Sequence, residues 1–329
     1  MKRNMRLIVL GLSLILCLTL SVTGGFAKSD YPNKPITLVC QFAAGGSTDL
    51  IGRALATVAS KYLGQPVVVE NKPGASGTIG THYVLTSKPD GYTLLTTSSG
   101  NFTSTPLTQQ VPYDPIKDVK HIFNVSEHAI VFVVNADSPW KTVEEFAAYV
   151  KQNPGKLHYG QNSPGGATHM AMEMFRKAAK LDMKMIPYGS GGAEVVAALL
   201  GKHVDCAVFH PQEVGEHIKQ GKLRALTVFS NKRLVSFPDI PTAKEKGYKV
   251  VLTVPKGISG PAKLPSDVVK KLHDAFKQAM NDPEFIEITK KIGENEYLSY
   301  MSGPEISKYL NEMYYDMEPL IKELGLYKK

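Results

Sequence analysis

From Lys34 onward short β-branched runs alternate with amphipathic stretches, and this rhythm restricts the fold more than any other feature. Ile36–Phe42, Leu50–Leu63, Val67–Glu70, Thr78–Leu85 and Tyr92–Thr97 follow one another. Runs that are apolar throughout suit strands covered on both faces, and strand–helix–strand order favours a parallel sheet. Leu50, Ile51, Ala54, Leu55, Val58, Ala59 and Tyr62 fall at helical spacing, and Gly64 with Gln65-Pro66 ends that helix. A second series repeats the rhythm: strands at Ile130–Asn135, Lys156–Tyr159, Met183–Pro187, Val204–Phe209 and Leu223–Phe229, with helices at Thr142–Gln152, Met170–Lys180, Ala193–Leu200 and Gly215–Gln220. Thr142-Val-Glu-Glu145 reads as a capping box. The last third is mainly helical, with Val268, Val269, Leu272, Ala275, Phe276, Ala279 and Met280 on one stripe. Ser266 is placed as an N-cap and Pro283 as a first helical residue. The fold class is therefore α/β.

With 329 residues the chain fits two domains better than one, at roughly 100–200 residues each. Two lobes imply a cleft between them. Ahead of the folded part, Lys2, Arg3 and Arg6 precede an apolar run from Leu7 to Leu20 and then small residues at Gly24, Gly25 and Ala27. This is the pattern of a secretory signal peptide spanning residues 1–27, with the mature chain expected to start at Lys28. Ile15 and Leu16 stand before Cys17 where a lipoprotein leader needs small residues. The net charge of +8 lacks any Lys/Arg cluster, which argues against nucleic acid as a partner. Cys40 and Cys206, each inside an apolar run, read as core positions of separate strands.

The strongest local signal is the strand Ile36–Phe42 running through Ala43-Ala44-Gly45-Gly46-Ser47-Thr48-Asp49 into a helix. Glycines let a ligand approach the backbone, and the free N–H groups of a helix start attract an anion. Ser47 and Thr48 add hydroxyls, whereas Asp49 reads as a cap or brace because its charge would repel an anion. The second series repeats the device at Gly160-Gln161-Asn162-Ser163-Pro164-Gly165-Gly166-Ala167-Thr168-His169. Two such turns facing each other across a cleft can hold a carboxylate between them. His169 reads either as a donor to that anion or as a core histidine beneath the turn. Enzyme signatures are missing: Ser163 lacks nucleophile-elbow spacing, Gly189-Ser-Gly-Gly192 lacks the dinucleotide spacing, and Gly74–Gly80 lacks the P-loop lysine. No histidine pair or Cys/His cluster has metal-ligand spacing, so neither cofactor nor metal is expected.

Seven ordered segments carry a resemblance. They are Tyr31-Pro-x-Lys-Pro-Ile36, Phe42-Ala-x-Gly-Gly-Ser-Thr-Asp49, Leu63-Gly-Gln-Pro-Val67, Val69-Glu-Asn-Lys-Pro-Gly-Ala75, Pro89-Asp-Gly-Tyr-Thr-Leu-Leu95, Pro112-Tyr-Asp-Pro-x-Lys-Asp118 and Gly221-Lys-Leu-Arg-Ala-Leu226. Together the chain resembles the substrate-binding receptors of tripartite tricarboxylate transporters, the Bug or TctC family. The resemblance implies a type II-like periplasmic-binding-protein architecture with each lobe a sheet flanked by helices: lobe 1 from 28–126 and 252–329, lobe 2 from 127–251. It implies a monomeric periplasmic receptor, not an enzyme, that closes on a di- or tricarboxylate or an aromatic carboxylate and delivers it to membrane permease subunits. An alternative is a periplasmic sensor that signals to a membrane kinase. The family's ligand loops carry over onto Gly45, Gly46, Ser47 and Thr48, and onto Ser163, Gly165, Gly166 and Thr168, with Phe42 and Ser99 added at strand ends. Where many relatives have an Asp-Asn pair this chain has Phe209 and His210, which read either as contacts to an apolar or second anionic part of the ligand or as pocket wall. The Trp-x-Gly segment of relatives is replaced by Val254-Pro-Lys-Gly.

Overall fold

The expected strand–helix rhythm builds two sheets. In the computed structural model, which describes residues 31–162, 164–189 and 191–328, the first sheet contains β1 (Ile36–Cys40), β2 (Val67–Asn71), β3 (Thr93–Ser98), β4 (Val119–His128), β10 (Val254–Pro261) and β11 (Leu298–Ser302), in the order β11-β4-β10-β3-β1-β2. The second contains β5 (Val131–Asn135), β6 (His158–Gln161), β7 (Lys184–Pro187), β8 (Cys206–Phe209) and β9 (Leu223–Val228), in the order β7-β6-β8-β5-β9. Both belong to one unit, Lys34–Lys329. The expected leader at 1–27 lies outside the described residues, as does Ser163.

The sheets are mixed rather than wholly parallel. β1 pairs in parallel with β2 and β3, and β6 with β7 and β8, but β10 runs antiparallel to β3 and β4, and β5 antiparallel to β8 and β9. The antiparallel strands arise where the chain passes between sheets. It leaves the first after β4 to enter the second at β5, and returns after β9 to form β10. A strand arriving from the other sheet, without a covering helix to bring it back over its own, is free to pair in the opposite sense.

The helices lie close to their expected spans. They are α1 (Ser47–Leu63), α2 (Thr78–Leu85), α3 (Thr105–Thr108), α4 (Val143–Gln152), α5 (Ala167–Ala179), α6 (Gly192–Leu200), α7 (Pro211–Lys219), α8 (Ser266–Asn281), α9 (Pro283–Lys291) and α10 (Gly303–Glu323). Helix α1 buries Ile51, Ala54, Leu55, Val58 and Ala59, and stops where Gly64, at φ +68°, caps Ser60 O. Tyr62 leaves the stripe: it is exposed and donates to Asp282 Oδ2 at 2.7 Å. Thr142 caps α4 as expected, but Glu145 reaches Lys141 N and not the cap residue itself. Pro265, not Ser266, precedes α8, while Pro283 opens α9 behind an Asp282 cap.

The core of the second sheet is aromatic. Phe132 is fully buried, with ring centroids 4.9 Å from Phe146 and 5.1 Å from Phe175. Cys40 on β1 and Cys206 on β8 are buried and free. Among the described residues no helix is long and apolar enough to cross a membrane.

The first sheet carries an acid-sensitive group. His121 on β4 is buried, with Nδ1 2.7 Å from Ser259 Oγ and its ring edge-on to Phe102. Burial drives its pKa down to about 4. Between about 4 and the ordinary value near 6.5 the unfolded chain binds the proton and the folded chain does not, so stability rises with pH across that window and falls on acidification. The full penalty is about 3 kcal/mol, reached below about pH 4. His121→Gln is therefore expected to lose less stability than the parent between pH 6.5 and 4.5, measured by urea unfolding. Parallel pH profiles would refute a dry imidazole.

Candidate functional site

Two strand-to-helix turns share one local design. Gly45 has φ +83° and Gly165 φ +80°, conformations that cost glycine little. The next glycine of each pair, Gly46 or Gly166, is the N-cap and has no side chain with which to cap the helix start. The side chain four residues on folds back in both. Asp49 Oδ2 accepts from Gly45 N at 3.0 Å, and His169 Nδ1 accepts from Gly165 N at 2.9 Å. Asp49 is thus a brace, also accepting from Arg53 Nε at 2.9 Å and Asn71 Nδ2 at 2.8 Å. Burial alone would raise its pKa, but the bonds from Arg53, Gly45 and Asn71 outweigh this and hold it below the usual value. His169 serves the second turn in the same way, beneath it and not as a donor into the cleft.

The turns open onto one cavity of about 540 Å³, counting its mouth. From the first turn, Phe42, Gly46, Ser47 and Thr48 line it; from the second, Gly166 and Thr168; and His210 closes one side. Gly45 is absent from this wall and borders a neighbouring groove with Ala193, Val196 and His217. Gly165 also stands behind the wall, where an added methyl would lie 2.3 Å from Thr108 Oγ1 and where its carbonyl accepts from that hydroxyl. Ser99 is wholly buried in the short turn after β3, and its predecessor Ser98 faces the cavity instead. Phe209 packs away from the cavity: strand alternation on β8 puts it with Ala207 against Val131, Val195 and Val214.

The cavity has walls that the sequence did not point to. Ser76, Asn101 and Thr105 come from the first side and Asn162, Gly191 and Gly192 from the second. The two sides touch: Ser76 Oγ donates to Pro164 O at 2.8 Å, so the cleft is closed here. Thr168 Oγ1 accepts from Gln161 Nε2 at 2.8 Å and donates to Asn162 Oδ1 at 3.2 Å, which fixes the second wall.

Three charged residues were also missed. Lys256, on β10, is 1% exposed, and its Nζ donates to Ser47 Oγ at the start of α1. Burial lowers its pKa to about 8, against the pull of the Glu294 and Glu213 carboxylates. Glu213, the third residue of α7, lines the cavity, and its Oε2 accepts from His210 N at 3.1 Å. Glu294 is wholly buried; His128 Nε2 stands 3.0 Å from its Oε2 but not in hydrogen-bonding alignment, and burial pushes the carboxyl up to about 8. Burial, then the field of Lys256, keeps His128 and His210 well below their ordinary values and hence neutral. Pro211-Gln-Glu213, a proline and a glutamate in the first helical turn, was the available signal for Glu213. A lone Lys in the run Val254–Pro261 was the only one for Lys256.

Two sheets that meet around one polar cavity, each offering a helix start to it, make the fold of a periplasmic solute-binding protein. The periplasmic binding protein BugD superposes with a TM-score of 0.84 at 33% identity, covering 91% of this chain and 100% of its own. MatC from Rhodopseudomonas palustris, solved with bound malate, does so with a TM-score of 0.81 at 25% identity, covering 88% and 100%. A Cupriavidus necator UPF0065 protein from the gbd 5′ region is 41% identical over 305 residues, 92% of this chain and 91% of its own. The model of the tripartite tricarboxylate transporter family receptors, TctC, matches residues 51–326, and the chain belongs to that family. It is a receptor and not an enzyme.

Proposed function

We propose that this receptor captures a small carboxylate between two lobes, residues 28–126 with 252–329 and residues 127–251, and delivers it to the permease subunits of a tripartite transporter. The observation that carries this reading is the pair of braced Gly-Gly turns, whose uncapped helix starts converge on one cavity. Gly46, Ser47 and Thr48 on one side, and Gly166 and Thr168 on the other, would hold the carboxylate, with Phe42 and His210 shaping the rest. Gly45 and Gly165 would act by setting the turns. Closure follows because a ligand gripped from both sides binds the closed form more tightly and shifts the population toward it. The malate in MatC and the TctC membership support the ligand class. The leader expected at 1–27 and the likeness to the periplasmic binding protein BugD support action outside the cytoplasm, where the receptor would work as a monomer.

A thermal-shift screen of refolded protein against di- and tricarboxylates, aromatic carboxylates, amino acids and sugars tests this. Ligand at about 100 times its Kd adds about 2.7 kcal/mol, so one carboxylate class is expected to raise Tm by several degrees. A shift with sugars alone, or with no anion, would overturn the assignment.

A further inference from the structure

The anion site described above already holds a carboxyl group belonging to the chain. A methyl added at Gly192 would lie 2.6 Å from Glu213 Oε1, and one added at Gly46 would lie 3.8 Å from the same atom. The carboxylate is therefore seated between the first residue of α6 and the N-cap of α1. Backbone bonding from Ser47 and His210 and the charge of Lys256 favour its ionised form, while burial opposes it more strongly and raises the pKa. Among the described residues no lysine or arginine lines the cavity itself; Lys256 stands behind Ser47. A second carboxylate entering beside Glu213 would meet one buried cation, with Glu294 already competing for it. Two carboxylates so close do not both stay ionised in a shielded site.

We propose that Glu213 occupies the ligand's carboxylate position in the closed, ligand-free receptor, and that carboxylate capture is coupled to uptake of one proton by Glu213. In the complex the protonated Glu213 Oε–H donates to the incoming carboxylate, replacing a charge repulsion by a hydrogen bond. The groups around Glu213 are Lys256 from β10, Glu294 from the segment before β11, His210 at the cap of its own helix with His128 of β4 against that ring, His217 on the helix, and the amide ends of α1 and α6. This inference rests on the receptor reading and deepens it.

Isothermal titration with malate, succinate, adipate and benzoate, at pH 6, 7 and 8 in buffers of different ionisation enthalpy, compares the parent with Glu213→Gln. The parent is expected to take up close to one proton at pH 8 and to lose affinity by up to about tenfold per pH unit once Glu213 is ionised in the free protein. Glu213→Gln is expected to bind at least tenfold more tightly at pH 8, with that uptake abolished. Lys256 and Glu294 titrate in both proteins, so only the difference between them reports on Glu213. Weaker binding by Glu213→Gln, or equal proton uptake in both, would overturn the coupling while leaving the receptor reading intact. Binding of none of the four by either protein would remove both.

Discussion

Gly257→Ala is expected to cost about 4 kcal/mol or more, enough to leave little folded protein at 37 °C. Gly257 sits mid-strand in β10, between β3 and β4, where the register with β4 shifts. A methyl there would lie 2.0 Å from Phe123 O and 2.8 Å from Asn124 Cα, both fixed backbone. Relief requires β10 and β4 to separate, and with them the segment that carries Lys256 to Ser47. Gly325→Ala is the control: φ is +70° and no atom stands within 4 Å of the added methyl, so only the left-handed backbone cost of about 1–2 kcal/mol applies. Urea unfolding of both variants decides the matter. A cost at Gly257 no larger than at Gly325 would mean that the strands part easily.

Gly46→Leu is expected to abolish carboxylate binding, by more than 100-fold, while the protein remains folded. The backbone at Gly46 is extended, with φ −74°, which any residue adopts. A methyl there meets Ala43 O at 3.6 Å and Glu213 Oε1 at 3.8 Å, ordinary contacts. Gly46→Ala should therefore fold with about 1 kcal/mol lost at the cap. Gly46 lines the cavity, and the further carbons of leucine are expected to enter it over the amides of Ser47 and Thr48. Calorimetric affinity beside the melting temperature separates the two effects. Retained binding in a folded Gly46→Leu protein would remove this turn from the site.

The twin turns were legible because glycines, hydroxyls and a following helix stand together in the sequence, and local chemistry alone dictates their shape. β10 was not legible. Its Val254-Pro-Lys-Gly-Ile-Ser-Gly-Pro261 has two prolines and two glycines, and becomes a strand only because two neighbours pair with it. The same dependence on distant partners hid Lys256, Glu213 and Glu294, whose burial follows from how the two sheets meet. Ser99 was assigned from its place at a strand end, and Phe209 together with His210 from the Asp-Asn pair that many relatives carry there. One residue of register decides which side chain faces a cleft, and here Ser98 and His210 do.

Helix α10 is about 30 Å long, and its two halves serve different cores. Ile306 and Leu310 pack with Val39, Leu95 and Phe102 under the first sheet, whereas Tyr314, Met317 and Ile321 join Phe132, Phe146 and Phe175 under the second. Lys177 of α5 pairs with Glu323, and Lys328 N donates to Leu107 O at 3.0 Å. Besides the two strand crossovers, the two cores are therefore joined by one helix, interrupted by Pro319, that packs on both. If the receptor opens as proposed, it would have to shear α10 along one core or peel its end away, so that the helix would act as a spring. The work done against that spring is set far from the carboxylate, so substitutions at Met317 or Ile321 would retune how wide and how often the receptor gapes while every atom of the binding wall stays the same.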